Sequence, residues 1–153
     1  MARWGSCDFH ELEDFRDRLE DADTQKFFED CAKELAKRLL AKVIERTPVG
    51  QYEEGSGKKG GTLRRGWTGG EESNAKKLAE SMSVKKTGTN YTIEIKNQVA
   101  YAPYVEYGHR KRNHKGVVPG KRMMTISVKE VNNLAPSLLQ KKLEKFLREV
   151  FHA

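Results

Sequence analysis

The feature that most constrains the fold is a long amphipathic segment that precedes Pro48. Its apolar side chains form two adjacent rows at i, i+4 spacing: Phe27, Cys31, Leu35, Leu39 and Val43, beside Phe28, Ala32, Ala36, Leu40 and Ile44. Two adjacent rows make a stripe wide enough to face a core along a whole helix. Pro48 disfavours helical geometry at Thr47, so the helix is predicted to end there. The stripe indicates core, or core plus subunit contact, and no cofactor.

Helices are also predicted at both ends of the chain. Asp8 and Glu11 resemble a capping box and predict a helix over Phe9–Glu20, inside an acidic N-terminal region of residues 1–22. The apolar residues near the C-terminus recur every three to four positions, which indicates helices there. We expect a break near Asn132-Asn133, which would place Pro136 in the tolerant first turn of the last helix.

The middle of the chain predicts strands. Leu78–Lys86 and Tyr91–Lys96 are separated by a short turn over Thr87–Asn90, as a hairpin requires. In the second strand apolar and polar residues alternate. Short sequential connections favour an antiparallel meander. The predicted fold class is therefore α+β, with a small antiparallel β-sheet packed against a long N-terminal helix and C-terminal helices.

The segment QVAYAPYVEYGHRKRNHKGVVPGKRMM, residues 98–124, has two contrasting halves. Val99–Tyr107 is aromatic and apolar, and Glu106 is its one charged residue. Alternate positions hold Tyr101, Val105 and Tyr107 on one parity and Ala102, Tyr104 and Glu106 on the other. Alternation of this kind predicts a strand with two faces. Pro103 cannot donate a ladder hydrogen bond, so we expect an edge strand.

The second half of this segment, His109–Arg122, is strongly basic. It contains no acid, and its bases are Arg110, Lys111, Arg112, Lys115, Lys121 and Arg122. Six like charges cannot be buried unpaired, so we expect an exposed loop over residues 109–122. Pro119-Gly120 is a turn dipeptide that closes the run. A run of this kind is most simply a solvated loop, and nucleic-acid phosphates are the alternative partner.

The motif YAPYVEYGHR followed by VPGKRMM resembles the signature of the tail-component family of long-tailed bacteriophages. Members of that family are variously described as tail completion or head–tail joining proteins. The matching residues here are Tyr101, Ala102, Tyr104, Val105, Glu106, Tyr107, Gly108, His109, Val118, Pro119 and Gly120. Thr47-Pro48-Val49 and Leu63-Arg64 also match the ends of a family turn, but here a glycine-rich segment separates them. The resemblance extends from about residue 27 to 124.

This resemblance implies an α+β structural virion protein rather than an enzyme. It implies a homo-oligomeric ring at the phage neck or tail top, which joins or completes the tail at the head connector. The implied partners are a head connector or adaptor protein and a tail tube or tail terminator protein. The protein would pass from the host cytoplasm into the virion. The basic loop would contact either DNA in the ring lumen, without sequence specificity, or a neighbouring subunit.

Composition is consistent with one domain over residues 1–153. No apolar run reaches the length of a transmembrane helix, and the N-terminus lacks the apolar region of a signal peptide. Cys7 and Cys31 have no metal-ligand spacing, so we expect reduced thiols, with Cys31 packed in the helical stripe. Neither a metal nor a cofactor is expected.

Charge is distributed unevenly along the chain. The net charge is +7, but residues 1–31 hold ten acids and four bases, whereas the remainder holds 25 bases and 12 acids. A bipolar chain can associate head to tail with copies of itself, or place one end against a polyanion. Ordinary solvated surface at both ends is the alternative interpretation.

The glycine-rich segment, residues 50–61, predicts a flexible loop. A phosphate-binding loop would need Gly-Lys-Ser/Thr at the start of a helix, and Lys58-Lys59-Gly60 does not supply it. A nucleotide site is therefore not expected here. As an elaboration of the family turn, the loop could instead reach a neighbouring subunit.

Candidate catalytic groups are sparse. Glu94-x-Lys96 is similar to half of a metal-dependent nuclease site, which needs a second carboxylate such as Glu80 or Glu71 to share Mg²⁺. His109 and His114 are potential metal ligands, but the surrounding bases would repel a cation. Nuclease activity therefore stays a minor alternative to a structural role or to nucleic-acid binding.

Overall fold

The structure is a computed structural model that describes residues 10–69 and 75–152. These residues form an α+β fold in which helices predominate. In chain order the elements are α1 (His10–Asp21), α2 (Thr24–Arg46), α3 (Thr62–Arg65) with a 3-10 turn (Gly66–Thr68), α4 (Ala75–Ser81), β1 (Lys85–Thr87), β2 (Asn90–Thr92), α5 (Ala102–Tyr107), β3 (Gly108–Arg110), β4 (Val117–Pro119) and α6 (Met123–His152).

The predicted amphipathic helix is confirmed as α2. It begins behind Asp23, whose carboxylate accepts a hydrogen bond from the Lys26 backbone N–H at 2.9 Å. It ends at Arg46, one residue before the predicted stop. Leu40 and Val43 are fully buried in the core that α2 forms with α4 and α6. Cys31 is buried on the same stripe as expected, and burial raises the pKa of its thiol.

Charged side chains reinforce the packing of α2 on α6. Lys42 Nζ lies 2.7 Å from a Glu130 carboxylate oxygen, and Arg46 Nη2 lies 2.5 Å from the other. Hydrogen bonds from both bases lower the pKa of Glu130. Farther along the same pair of helices, the rings of Phe27 and Phe146 stack with centroids 4.6 Å apart.

The break that we expected near Asn132-Asn133 is wrong, because α6 continues from Met123 to His152 with Pro136 inside it. A proline removes the hydrogen bond that its N–H would donate four residues back, here to the Asn132 carbonyl. Both Asn132 and Pro136 are exposed, so water can hydrate that carbonyl. The helix therefore tolerates a residue that would disrupt a buried helix.

The predicted single meander is replaced by two separate antiparallel pairs, β1–β2 and β3–β4. The β1–β2 hairpin confirms a turn inside Thr87–Asn90, although only Gly88 and Thr89 form it, and it pairs Lys86 with Tyr91. Most of the strand predicted over Tyr91–Lys96 is wrong, because β2 ends at Thr92. Most of the strand expected over Leu78–Lys86 is wrong, because Ala75–Ser81 is α4. Ala79 is almost fully buried in the core, so tertiary packing favours a helix there.

The predicted edge strand over Val99–Tyr107 is also wrong, since Ala102–Tyr107 is the helix α5. Residues four apart share a helical face, and Ala102 and Glu106 are the buried pair. Pro103 lies in the first turn, where a missing N–H costs no intrahelical hydrogen bond. The residues that alternate in the sequence therefore form one short helix, in which Ala102 and Glu106 face the core.

The predicted N-terminal helix is confirmed as α1, although Phe9 and the proposed cap Asp8 lie outside the described residues. No residue of α1 is buried. It contacts the C-terminal end of α6, where Phe15 stacks on Phe151 with a centroid distance of 4.6 Å. Within residues 10–69 and 75–152, no helix combines the length and apolarity that crossing a bilayer requires.

Candidate functional site

Glu106 connects α5 to the start of α6. Its carboxylate accepts hydrogen bonds from the backbone N–H groups of Met124 and Thr125, both at 2.9 Å, and from Thr125 Oγ1 at 2.7 Å. The first N–H groups of a helix have no partners within the helix, so Glu106 acts as an N-terminal cap supplied from another element. The carboxylate also complements the positive end of the helix dipole.

The environment of Glu106 favours its ionised form. Burial by itself raises the pKa of this carboxyl group, but the hydrogen bonds from Met124, Thr125 and Met123 together outweigh burial, and the pKa is lowered. Only 6% of the residue is exposed. A buried carboxylate satisfied in this way fixes the position of α5 relative to α6.

Two glycines hold the segment after α5 against the segment before α6. A Cβ on Gly108 would overlap the Val118 carbonyl oxygen and would lie 2.7 Å from the Gly120 nitrogen. A Cβ on Gly120 would overlap the Glu106 carbonyl oxygen. Such close backbone approach is available only to glycine. Backbone hydrogen bonds from Lys121 N to Val105 O and from Arg122 N to Glu106 O complete the junction.

The basic segment that begins beyond this junction is a hairpin rather than a loop, which corrects the sequence-based expectation. We call residues 108–119, the paired strands β3 and β4 with their connecting turn, the basic hairpin. The strands pair His109 with Val118 and Arg110 with Val117. Within the hairpin, Arg110, Lys111, Arg112 and Lys115 are all exposed, as are Lys121 and Arg122 beside it. None of these six bases forms an ion pair with another described residue.

Aromatic and apolar side chains surround the base of the basic hairpin. Tyr104 is 60% exposed and Tyr107 is 78% exposed, and Tyr101 is half exposed. Val117 in β4 is 64% exposed, and Tyr104 packs edge-on against His109 with centroids 6.1 Å apart. The surface therefore combines solvent-exposed apolar groups with positive charge that no described acid pairs.

The second group of motif residues lies at the C-terminal end of α2. Thr47 is fully buried, and its Oγ1 donates to the Val43 carbonyl at 2.6 Å and accepts from Trp67 Nε1 at 2.8 Å. Arg64 donates to the Thr47 carbonyl at 2.9 Å, while Leu63 is buried in the core. Arg64 therefore satisfies a carbonyl at the end of the helix.

The two groups of motif residues meet at the start of α6. Thr47 Oγ1 lies 3.4 Å from Met123 Sδ, and Met123 immediately precedes the residues that Glu106 caps. Pro48 and Val49 do not join this cluster, because both are exposed. The glycine-rich segment separates Val49 from Leu63 along the chain, but Thr47 and Arg64 are still brought together.

Asn97 was not identified from the sequence. Its side-chain amide donates to the Leu63 carbonyl at 2.8 Å, and its Oδ1 accepts from the Val99 N–H at 3.0 Å. It also lies against Gly66, where a Cβ would overlap the Asn97 side-chain oxygen. Two sequence features could have drawn attention to Asn97: it follows the alternating segment, and Gly66-Trp67 is a glycine–aromatic pair. Both features are common, so neither alone predicts a contact.

The candidate catalytic residues Glu94 and Lys96 lie on the exposed surface. Glu94 and Lys96 form a loose ion pair at 3.9 Å, and both side chains are about two-thirds exposed. Glu71 lies outside the described residues. In the part of the chain that the structure describes, no three His, Cys, Asp or Glu side chains are grouped so that they could hold a metal ion. No described feature therefore supports the nuclease alternative.

A family model matches residues 10–108, about two-thirds of the chain, from the start of α1 to the end of α5. It is the model of the HK97-gp10-like family, described as tail components of bacteriophages. The chain belongs to this family. No curated protein and no solved structure matches it. The match covers Thr47, Leu63, Arg64 and Glu106. It ends at Gly108, where the basic hairpin begins.

Membership of the HK97-gp10-like family identifies the chain as a structural component of a phage tail, and therefore of the virion. The family resemblance stated from the motif residues is confirmed by this match. The matched part of the chain contains α1 to α5 and the Glu106 side chain that caps α6, whereas most of the basic hairpin and all of α6 follow it.

Proposed function

We propose that the protein forms an oligomeric ring at the neck or tail top of a phage and joins or completes the tail at the head connector. The observation that supports this proposal is the exposed tyrosine and basic surface, which is rigidly anchored by Glu106 and the Gly108–Gly120 contact. The backbone is held in place, but its aromatic and basic side chains point into solvent. This arrangement suits a surface that binds another protein.

The exposure of these side chains is unusual for a free chain. Tyr104 and Tyr107 extend from α5, and Val117 extends from the hairpin, with most of each residue in contact with solvent. Aromatic residues and arginine are enriched where proteins meet, and clustered apolar exposure marks interaction sites. Assembly would remove this apolar area from water.

The partners in this proposal are other copies of the chain, a head connector or adaptor protein, and a tail tube or tail terminator protein. The free protein would reside in the host cytoplasm until it assembles onto the tail. The structural role in the tail follows from family membership. The ring and its position at the head connector are the proposed refinement.

Loss of the protein tests the proposal directly. A phage lacking this chain should accumulate filled heads and separate tails, and supplying the chain afterwards should join them. Antibody or gold labelling of complete virions should mark the neck or tail top in electron micrographs. Complete virions formed without the chain, or label elsewhere on the tail, would overturn the proposed position.

Contact with DNA is a second candidate function, and it is favoured by the exposed bases in and beside the hairpin, which form no ion pair with a described residue. In a ring, six bases per subunit would be repeated at every copy, which gives a strongly positive lumen. Phosphate contacts would hold a DNA end without reading its sequence. Contacts between phosphates and solvent-exposed lysine or arginine side chains are weak and salt-sensitive, so they would still permit ejection of the DNA.

A serine variant separates DNA contact from protein contact. Changing Arg110, Lys111, Arg112 and Lys115 to Ser should spare the fold, because all four are exposed. Particles that assemble but leak DNA would support the lumen interpretation. Unjoined heads and tails would support protein docking, and fully infectious particles would mean that the hairpin is only solvated surface.

A further inference from the structure

The acidic and basic surfaces of this chain lie at opposite ends of one helix. At the N-terminal end of α6, Glu106 caps Met124 and Thr125 and so places the basic hairpin there. At the C-terminal end, Phe15 of α1 stacks on Phe151. Between Met124 and Phe151 the helix rises about 40 Å at 1.5 Å per residue. Within a single molecule, α1 therefore cannot reach the hairpin from its observed position.

The outer surface of α1 is strongly acidic. The helix carries six acids and two arginines, a net charge of −4. Arg16 pairs within the helix, with Asp17 at 2.7 Å and Glu20 at 3.8 Å. Glu11, Glu13 and Asp14 are exposed near the start of the helix, and they form no ion pair with another described residue. Among the described residues, the first turns of α1 therefore have exposed acids and no cationic partner.

The apolar side chains of α1 are also incompletely buried. Leu12 is 63% exposed and Phe15 is 47% exposed, although amphipathic helices normally bury such residues. The hairpin region shows the matching combination, with exposed Tyr107 and Val117 beside bases that no described acid pairs. Each surface offers apolar area and charge, and the charges are of opposite sign.

We propose that α1 of one copy of this chain docks on the basic hairpin of a second copy. The contact joins different surfaces of the two copies, so it is heterologous, and repeated contacts of this kind close into a ring when the rotation permits. The proposal depends on the proposed function in one respect, which is that the partner is a second copy of the chain. Beyond that function, it specifies which two surfaces of the copies meet.

Apolar exposure favours a second copy over DNA as the occupant of the hairpin. Phosphates would neutralise Arg110, Lys111 and Arg112, but a phosphate backbone would leave Tyr107 and Val117 in water. Leu12 and Phe15 of a neighbouring α1 could cover those groups while its carboxylates face the bases. Charge complementarity of this kind also fixes the orientation of the partners.

Reciprocal charge reversal tests the contact. One variant carries E11K, E13K and D14K, so both of its surfaces are basic, and the other carries R110E, K111E and R112E, so both are acidic. In sedimentation velocity at low ionic strength, the unchanged chain should self-associate and each variant alone should sediment as a monomer. An equimolar mixture should associate again, because alternating copies regain opposite charges at every contact.

A matched control changes the same amount of charge elsewhere. Lys77, Lys85 and Lys141 are exposed and lie outside both surfaces, so their reversal to Glu should leave association unchanged. Circular dichroism checks that each variant is folded. A monomeric unchanged chain, self-association by either variant alone, or a mixture that stays monomeric would overturn the proposal.

Two further results separate this inference from the others. If the hairpin variant associates normally but loses binding to duplex DNA in a mobility-shift assay, the hairpin contacts nucleic acid instead. If heads and tails still require the chain for joining while the mixture fails to associate, the contact is wrong but the proposed function stands. Normal joining without the chain would overturn the proposed function alone.

Discussion

Trp67 donates its indole N–H to Thr47 Oγ1 at 2.8 Å, inside the core and across the end of α2. Thr47→Val keeps the shape of the side chain but leaves the indole N–H without an acceptor. An unsatisfied buried donor costs about 1–3 kcal/mol, so the free energy of unfolding should fall by that amount in urea denaturation. Thr47→Ser is the matched control and should lose less, because it retains the hydroxyl. Equal losses for both variants would contradict the role of the hydrogen bond.

Glu106→Gln should destabilise the chain in a pH-dependent way. Hydrogen bonds to a charged group contribute about 1.5–3 kcal/mol, and the neutral amide replaces the carboxylate that caps α6. Because the pKa of Glu106 is lowered in the folded state, its contribution is complete above the ordinary value of 4.5 and is lost as pH falls through the folded pKa. The stability difference between the two proteins should therefore be largest near neutral pH and shrink in acid.

Urea denaturation at a series of pH values measures this difference. Glu94→Gln is the control, since Glu94 is exposed and only loosely paired with Lys96. It should change stability little at any pH. A Glu106→Gln deficit that stays constant from neutral to acid pH would show that packing, rather than charge, makes the contribution.

Gly108→Ala should disrupt the junction between α5 and the basic hairpin. Gly108 has φ +86° and its Cβ would overlap the Val118 carbonyl oxygen, whereas Gly55 has φ +88° with nothing within 4 Å. Gly55→Ala places a side chain at positive φ with no clash. Gly108→Ala places one at positive φ with ψ 173°, a region essentially restricted to glycine, and adds a clash with the backbone. Thermal denaturation should show a clearly larger loss for Gly108→Ala. Equal losses would mean that the close approach is easily relieved.

The glycine-rich loop should be the first site of proteolysis in the free protein. Lys58 and Lys59 are exposed within it and offer trypsin two adjacent sites. Lys33 provides an internal control, because it lies in α2 and donates to the Glu80 carbonyl at 3.1 Å. If the loop contacts a neighbour in the particle, assembly should protect Lys58 and Lys59. Equal rates of cleavage in free and assembled protein, measured by mass spectrometry, would show that it does not.

Apolar patterns that continue over many residues were sufficient to predict the helical framework. The stripe that includes Leu40 and Val43 specifies α2 because a wide apolar face leaves few other folds. The alternation after Tyr91 also corresponds to burial, since Ile93 and Ile95 are partly buried while Glu94 between them is exposed. That alternation does not reveal how few of these residues pair as strands, because pairing depends on distant partners.

Short segments were less predictable. The sequence of Val99–Tyr107 is compatible with either a strand or a helix of one or two turns. The helix is stabilised by the contact between Glu106 and Met124 in α6, which is not a local contact in the sequence. Two clues pointed to this contact. Glu106 is the one acid in an apolar segment, and α6 begins after Lys121-Arg122, without a Ser, Thr, Asp or Asn to cap it.

The anchoring of the basic hairpin has a consequence for phage engineering and evolution. The junction is made by backbone atoms, through Gly108, Gly120, Lys121 N and Arg122 N, and by the Glu106 side chain. The turn between β3 and β4 contributes nothing to the core, since residues 111–116 are all exposed. Its sequence can therefore be replaced, or extended with a peptide tag, while the scaffold stays intact. Tails could acquire altered attachment properties at this position without a new fold.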